Sequence, residues 1–354
     1  MKTLFGSIYK DKTVLVTGHT GFKGSWLCLW LTQMGANVIG YSKAMLDSPN
    51  HYELLKLDIV SVFGDISDVD QTVKKYQPEI VFHLAAQSLV RYSYDNPIET
   101  FETNIMGTAK LFEAARKNNC VKAIVNITSD KAYDNKEKNE GYKEDDPMGG
   151  YDPYSSSKGC VELVSSSYRN SFFNLDEYKI SHNTLIANCR SGNVIGGGDW
   201  AKDRLIPDIM RATSRGEKVF IRNPNSTRPW QHVLEPLNGY LLLGQRLLEE
   251  KKEFATSWNF GPNDNHTISV QNLVEKIKYS WEKVDYVISK NKDDLHEATY
   301  LKLNCIKAKE KLSWSSKMDS VSTIQMTVDW YREYYENGKN ISLLQLKEYI
   351  KCII

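Results

Sequence analysis

Thr13-Val14-Leu15-Val16-Thr17-Gly18-His19-Thr20-Gly21-Phe22-Lys23-Gly24 is the stretch on which the fold turns. A short aliphatic and β-branched run ends in Gly18, Gly21 and Gly24, and residues 26–34 then carry an apolar segment of helix length. Valine-rich runs suit a buried, pleated strand. Glycines at the turn clear side chains from a backbone that must approach a ligand. The helix that follows begins with unpaired N–H groups and the positive end of its dipole. A strand, turn and helix of this kind suit a phosphate-bearing ligand, and a dinucleotide pyrophosphate fits the GxxGxxG spacing.

Working outward, the same alternation continues. Residues 37–41, 61–63, 79–84, 121–128 and 184–188 read as strands, and 69–76, 100–117 and 154–172 as helices. Strands separated by helices of this length predict an α/β protein: a Rossmann-type, doubly wound parallel sheet. After Gly192 the character changes. Glycine, proline and aromatic residues gather in 192–200 and 223–230 around a helix at 205–214, which suits a substrate cover over the open end of the sheet. Trp258-Asn259-Phe260 reads as a strand returning to the main sheet, and 270–278, 306–312 and 321–335 read as helices. The expected division is a dinucleotide domain over 1–191, rejoined by 233–262. A smaller, mixed C-terminal substrate-binding part comprises 192–232 and 263–354.

A chain of 354 residues can bury a sizeable core. With 45 basic and 44 acidic residues its formal net charge is +1, which gives no field for nucleic acid and no charged disordered tail. Its six cysteines lack CxxC spacing and read as reduced thiols. Residues 1–12 lack the apolar segment of a signal peptide, and no run approaches a membrane span, so the cytoplasm is the economical reading. His232 and His296 read as packed histidines, and no carboxylate–histidine spacing suggests a metal.

Tyr154-Ser155-Ser156-Ser157-Lys158 is the second decisive stretch. A tyrosine and a lysine four positions apart share one helix face. Lys158 would hold ribose hydroxyls of a nicotinamide cofactor, and its charge would lower the pKa of Tyr154, which could then take a proton from a sugar alcohol. Thr128-Ser129-Asp130-Lys131 falls at the carboxyl end of the preceding strand, where open α/β sheets bind ligands. A carboxylic acid beside a leaving hydroxyl is what elimination of water requires. Among the later loops, Lys202, Arg204, Arg222 and Arg228 offer cations for a diphosphate. Lys202 and Arg204 fit a solvated rim equally well, and Trp200 and Trp230 fit either a pocket wall or the core. Gly149-Gly150, just before Tyr154, would let a lid bend.

These motifs resemble the extended short-chain dehydrogenase/reductase superfamily, and within it the nucleotide-sugar 4,6-dehydratases, most closely the branch acting on CDP-glucose. The resemblance covers nearly the whole chain and is strongest at Gly192-Asn193-Val194-Ile195-Gly196-Gly197-Gly198-Asp199-Trp200 and Arg228-Pro229-Trp230-Gln231-His232. It implies a cofactor site formed by Gly18, His19, Thr20, Gly21, Phe22, Lys23, Gly24, Asp65, Ile66, Leu84, Ala85, Ala86, Tyr154 and Lys158. It also implies a substrate site that includes Gln87, Asn193, Lys202, Arg204, Leu205, Arg222, Arg228 and His296. The residues alone leave NAD and NADP open, since Lys43 after the second strand suits a 2′-phosphate; only the resemblance tips the choice to NAD.

The implied reaction removes the O4 proton through Tyr154, eliminates water from C5 and C6 with Asp130 as acid, and forms a 4-keto-6-deoxy sugar for surface polysaccharide. Ser129 would orient O4. Lys131 stands where the wider family has a glutamate that takes the C5 proton, so it acts either as a neutral base or as an enolate stabiliser. The resemblance also implies a homodimer paired through a four-helix bundle. Three alternatives stay open: a dehydratase for another nucleotide sugar, an epimerase, and a dinucleotide-sensing protein without catalysis.

Overall fold

The computed structural model describes residues 1–44, 49–138, 140–263, 267–288 and 300–354. Its strands are β1 (Thr13–Thr17), β2 (Asn37–Ser42), β3 (Val60–Phe63), β4 (Ile80–His83), β5 (Ala123–Ile127), β6 (Leu185–Ser191), β7 (Val194–Ile195), β8 (Val219–Ile221), β9 (Thr227–Pro229), β10 (Gln231–His232), β11 (Ser257–Phe260), β12 (Thr267–Ser269) and β13 (Tyr286–Ile288). The helices are α1 (Phe22–Met34), α2 (His51–Leu55), α3 (Val69–Tyr76), α4 (Val90–Asp95), α5 (Pro97–Phe101), α6 (Gly107–Lys117), α7 (Pro153–Ser171), α8 (Leu205–Ser214), α9 (Leu234–Leu248), α10 (Val270–Ser280), α11 (Ile306–Leu312), α12 (Ser320–Asn337) and α13 (Ser342–Ile353).

Among the described residues, seven strands form one sheet in the order β11-β6-β5-β4-β1-β2-β3, with every neighbouring pair parallel. The strand order reverses between β1 and β4, and a ligand crevice opens beyond the strand ends at such a point. The two-residue side-chain period builds both faces. Val14, Val16, Ile80, Phe82, Leu185 and Ala187 enter one buried layer with Trp26 and Trp30 of α1 and Leu237 of α9. Leu15, Val81 and Ile186 enter the other with Val69 and Val73 of α3 and Leu111 and Phe112 of α6. This is the doubly wound sheet expected from the alternating segments.

The smaller part is mixed. β12 pairs antiparallel with β9, and β13 pairs parallel with β8, so segments far apart in sequence knit the cover together. Helix α12 anchors the loop at 196–204: Tyr331 Oη donates to the Asp199 carbonyl at 2.5 Å, and Trp200 Nε1 donates to Tyr335 Oη at 2.9 Å.

Three features differ from the sequence reading. The helix expected over 100–117 is broken into α5, a π turn at Glu102–Met106 and α6. Asn104 in that turn holds the loop after β4, accepting from Gln87 N at 2.8 Å and donating to Gln87 O at 3.0 Å and Ser157 Oγ at 2.8 Å. Helices α9 and α13 were not expected. Gly149 and Gly150 are pinned rather than hinged. Gly149 N donates to Ala132 O at 2.8 Å, while Gly150 has φ +136° and a side chain on it would begin 2.2 Å from Ser156 N.

Candidate active site

A cavity of about 750 Å³ opens along the carboxyl ends of the sheet strands. The glycine turn forms its near wall. Gly18 has φ +74°, donates its N–H to Tyr41 O at 2.7 Å, and packs so closely on the loop after β4 that a side chain would begin 2.8 Å from Ala85 N. A side chain on Gly24 would begin 2.1 Å from Gly18 O. Only glycine allows α1 to start this close to β1, with Gly21, Phe22 and Lys23 on the cavity wall. The cavity continues past Ser42, Gly64 and Ile66 on one side and Leu84, Ala85 and Ala86 on the other, then reaches Lys158 and Asp130. An elongated cradle with a glycine-lined helix start and a lysine at its far end fits a dinucleotide.

Helix α7 delivers the reacting pair. Asp152 caps it, accepting from Ser155 N at 2.9 Å and Ser155 Oγ at 2.6 Å, and Pro153 occupies the first turn. Tyr154 is thereby fixed at the helix start, with its own N–H donating to Ser93 Oγ at 3.1 Å. Lys158 follows one turn later, buried, with Nζ donating to Ile127 O at 3.3 Å. Burial pushes Lys158 down to about 8, opposed by the charge of Glu162. The expected lowering of Tyr154 by Lys158 is overturned: burial pushes the phenol up to about 12, with Ser129 and Arg204 pulling the other way. Desolvation of the phenolate outweighs the neighbouring cations at this depth.

The carboxyl end of β5 carries the acid. Ser129 caps a single 3-10 turn, Asp130–Ala132, by accepting from Lys131 N at 3.2 Å, and its Oγ donates to Asp130 Oδ1 at 3.0 Å. Asp130 is buried, and desolvation raises its pKa above the usual carboxylate value. Lys131, Ser129 and Lys23 oppose that rise. Ser129, Asp130, Lys131, Tyr154 and Lys158 all line the one cavity.

Beneath this floor lies a network that the motifs did not reveal. Glu162, one turn beyond Lys158, receives Arg190 Nε at 2.8 Å and Arg190 NH2 at 2.9 Å. Thr128 Oγ1 at 2.5 Å, Asn188 Nδ2 at 2.6 Å and Ser257 Oγ at 3.1 Å complete its partners. Although burial works against ionisation, Arg190 and these donors bring Glu162 down to about 2. The four-residue spacing from Lys158 was the available signal, since it puts the carboxylate on the same face of α7.

The substrate-side residues divide. Asn193, Arg204, Leu205, Arg222 and Arg228 line the cavity, and Arg204 NH1 pairs with Asp199 at 3.0 Å. Lys202 is exposed and off the wall. Gln87 is turned away: its Oε1 accepts from Leu89 N at 2.6 Å and its Nε2 donates to Thr100 Oγ1 at 2.9 Å. On the cofactor side, Thr20, Gly64 and Ile66 face the cavity, whereas His19 is buried behind it between Ser61 and Ser42. Asp65 caps the next turn by accepting from Ser67 N and pairs with Lys43 at 3.4 Å. Trp230 is on the wall, while Trp200 packs against Trp330 of α12. His296 lies outside the described residues.

A glycine-turned strand and helix opening a parallel sheet, with a tyrosine–lysine pair over its carboxyl edge, define a dinucleotide-using enzyme of the short-chain dehydrogenase/reductase kind. Residues 15–327 match the family model described as GDP-mannose 4,6 dehydratase, and the chain belongs to that family. A CDP-glucose 4,6-dehydratase of Salmonella typhimurium is 50% identical over 347 residues, covering 97% of this chain and 96% of its own length. An epimerase of Methanothermobacter thermautotrophicus has a TM-score of 0.82 at 25% identity, over 95% of this chain and 97% of its own. A dTDP-glucose 4,6-dehydratase of Bacillus anthracis, solved in complex with NAD, shares the fold with a TM-score of 0.74 at 21% identity, over 92% and 98%.

Proposed function

We propose that the chain converts CDP-glucose to CDP-4-dehydro-6-deoxyglucose and water, using NAD. The observation that carries this reading is Asp130: a buried carboxyl whose pKa desolvation raises above the usual carboxylate value, in the same cavity as Tyr154 and Lys158. Oxidation or epimerisation at C4 needs the tyrosine–lysine pair alone, whereas loss of water needs a proton donor beside it. The 50% identity to a CDP-glucose 4,6-dehydratase supports the same substrate.

NAD bound along the glycine turn supplies a reversible hydride acceptor, so the sugar is oxidised and reduced within one turnover. Lys43 is engaged by Asp65 at 3.4 Å and Glu99 at 3.5 Å, which ties up the cation otherwise suited to a 2′-phosphate and supports NAD over NADP. Tyr154 takes the O4 proton, with Lys158 as the neighbouring cation. Asp130 gives its proton to the departing C6 hydroxyl, and Ser129, bonded to Asp130, orients the O4 end. Lys131, on the same wall, takes the C5 proton or stabilises the enolate that its loss creates. Arg204, Arg222 and Arg228 supply charge for the diphosphate, whose burial would otherwise be costly.

The chain is further read as a homodimer. Ile98 is 67% exposed, Met106 52% and Leu163 63%, on α5, the π turn and α7, three elements that pack against one another. Exposed apolar side chains on neighbouring helices suit a four-helix bundle with a second copy. The deciding experiment for the reaction is incubation with CDP-glucose carrying deuterium at C4. The reading requires loss of one water, deuterium at C6 and no net NADH; NADH released in step with an oxidised sugar would refute it.

A further inference from the structure

Lys23 occupies an awkward place for a cation. It is the second residue of α1, where the helix dipole already concentrates positive charge. Its side chain does not run out to solvent. Nζ donates to Ser191 Oγ at 2.7 Å, reaches Tyr240 Oη at 3.5 Å, and lies 5.9 Å from the centre of the Tyr240 ring. Ser191 and Tyr240 are themselves joined at 2.8 Å, and both are buried. The residue after Ser191 stands against the acid: a side chain on Gly192 would begin 3.1 Å from Asp130 Oδ2. Lys23 and Asp130 line the same cavity.

We propose that Lys23 is a further positioning residue of the reaction centre: held by Ser191 and Tyr240 in the cavity that Asp130 also lines, it sets how readily that carboxyl gives up its proton. This rests on the reading in which Asp130 is the acid of the elimination. Burial favours the protonated form of Asp130. A cation in the same cavity stabilises the carboxylate left behind, so the proton is released more readily as the hydroxyl departs.

The surrounding charges are specific. Lys131 acts on Asp130 from its own turn, Tyr154 and Lys158 face the pair from α7, Arg204 from the loop after β7, Cys189 from β6 and Tyr240 from α9. Burial, Arg204 and Lys158 push Lys23 down to about 7, while Asp130 pulls it up. The ammonium and the carboxyl therefore respond to each other, and the proton affinity of one depends on the charge of the other.

The test is an infrared pH titration of the NAD-loaded protein without substrate, following the protonated-carboxyl band that disappears in Asp130→Asn. Removing a nearby cation raises a carboxyl's pKa, so Lys23→Met should move the midpoint up by roughly one pH unit or more, and Lys23→Arg should leave it near the wild-type value. A midpoint unchanged in folded Lys23→Met overturns the proposal, and Lys23→Gln gives the same reading if the methionine variant does not fold. No turnover is needed, so a failure to convert CDP-glucose would sink the dehydratase reading without altering this result. In turnover, the alkaline limb of water loss should move up with the midpoint in Lys23→Met. A side chain that only packs would slow the reaction and leave the limb in place, which also overturns the proposal.

Discussion

Glu162 and Arg190 form a two-point ion pair beneath the reaction floor, with contacts of 2.8 and 2.9 Å between side chains that are each 3% exposed. Glu162 lies one turn from Lys158, so the pair ties the helix that carries the reacting lysine to β6 and β11. Glu162→Gln should destabilise the protein by about 3–5 kcal/mol, because it leaves a buried guanidinium without its counter-charge. Urea unfolding measures this. A loss below about 1 kcal/mol would mean that Arg190 finds another partner.

Four histidines make stability fall with acid before Glu162 does. His51, His83 and His232 are held near 3 and His19 near 4, in each case chiefly by burial. The unfolded chain takes up protons on these groups below about 6.5, whereas the folded chain does not. Stability should therefore decline as pH drops from about 6.5 towards 4, by roughly 1.4 kcal/mol per pH unit for each histidine. Glu162 adds a separate stabilising contribution, fully present above the ordinary carboxylate range and lost as pH falls towards about 2. Urea midpoints between pH 7.5 and 5 should show the histidine slope; a flat profile would contradict it.

Tyr154→Phe and Asp130→Asn should fail at different stages. Loss of the phenol removes the acceptor of the O4 proton and should lower turnover about 100-fold or more. Asp130→Asn cannot protonate the departing hydroxyl, so a bound 4-keto sugar that retains its C6 oxygen should accumulate. Quenched-flow product analysis distinguishes the two. Equal slowing of oxidation and water loss in Asp130→Asn would remove the assigned division of labour.

Lys131→Met separates the two roles open to that residue. If Lys131 takes the C5 proton, the variant should stop solvent deuterium entering C5 while C4 oxidation persists. Lys131→Glu should restore part of the exchange if a carboxylate can reach C5. Exchange at the wild-type rate in Lys131→Met would leave Lys131 as an enolate stabiliser and return the base role to another group.

The sheet was legible because its signals are local. The valine run, the three glycines and the alternation of short apolar segments with helices each fit within a dozen or so residues. The same holds for Tyr154 and Lys158, four apart on one helix. Helix α9 was missed because it is buried nearly all round, so Leu234, Leu237, Leu241 and Leu243 carry no polar stripe to set a period. Glu162 and Arg190 meet only through the fold, and no motif joins residues 28 positions apart. The resemblance placed Gln87 in the substrate pocket, but Thr100 of α5 and Asn104 of a π turn that no helical period discloses claim it. Lys23 was legible as part of the glycine loop; the inward direction of its side chain depends on Ser191 and Tyr240, contributed by strands and helices far downstream.

The return of the chain to β11 bears on how specificity can be transplanted between relatives. Ser257 sits in register with Asn188 and Phe260 with Ser191 in a parallel pair, so a cassette spanning 192–256 would have both junctions on this one strand pair, at its opposite ends. Yet that cassette contains α9, whose Leu237, Tyr240 and Leu241 lie in the same buried layer as Val125 and Ala187 of the receiving sheet. Substrate choice and part of a hydrophobic layer would therefore travel together, and a graft of recognition loops succeeds only when it leaves α9 with its original host.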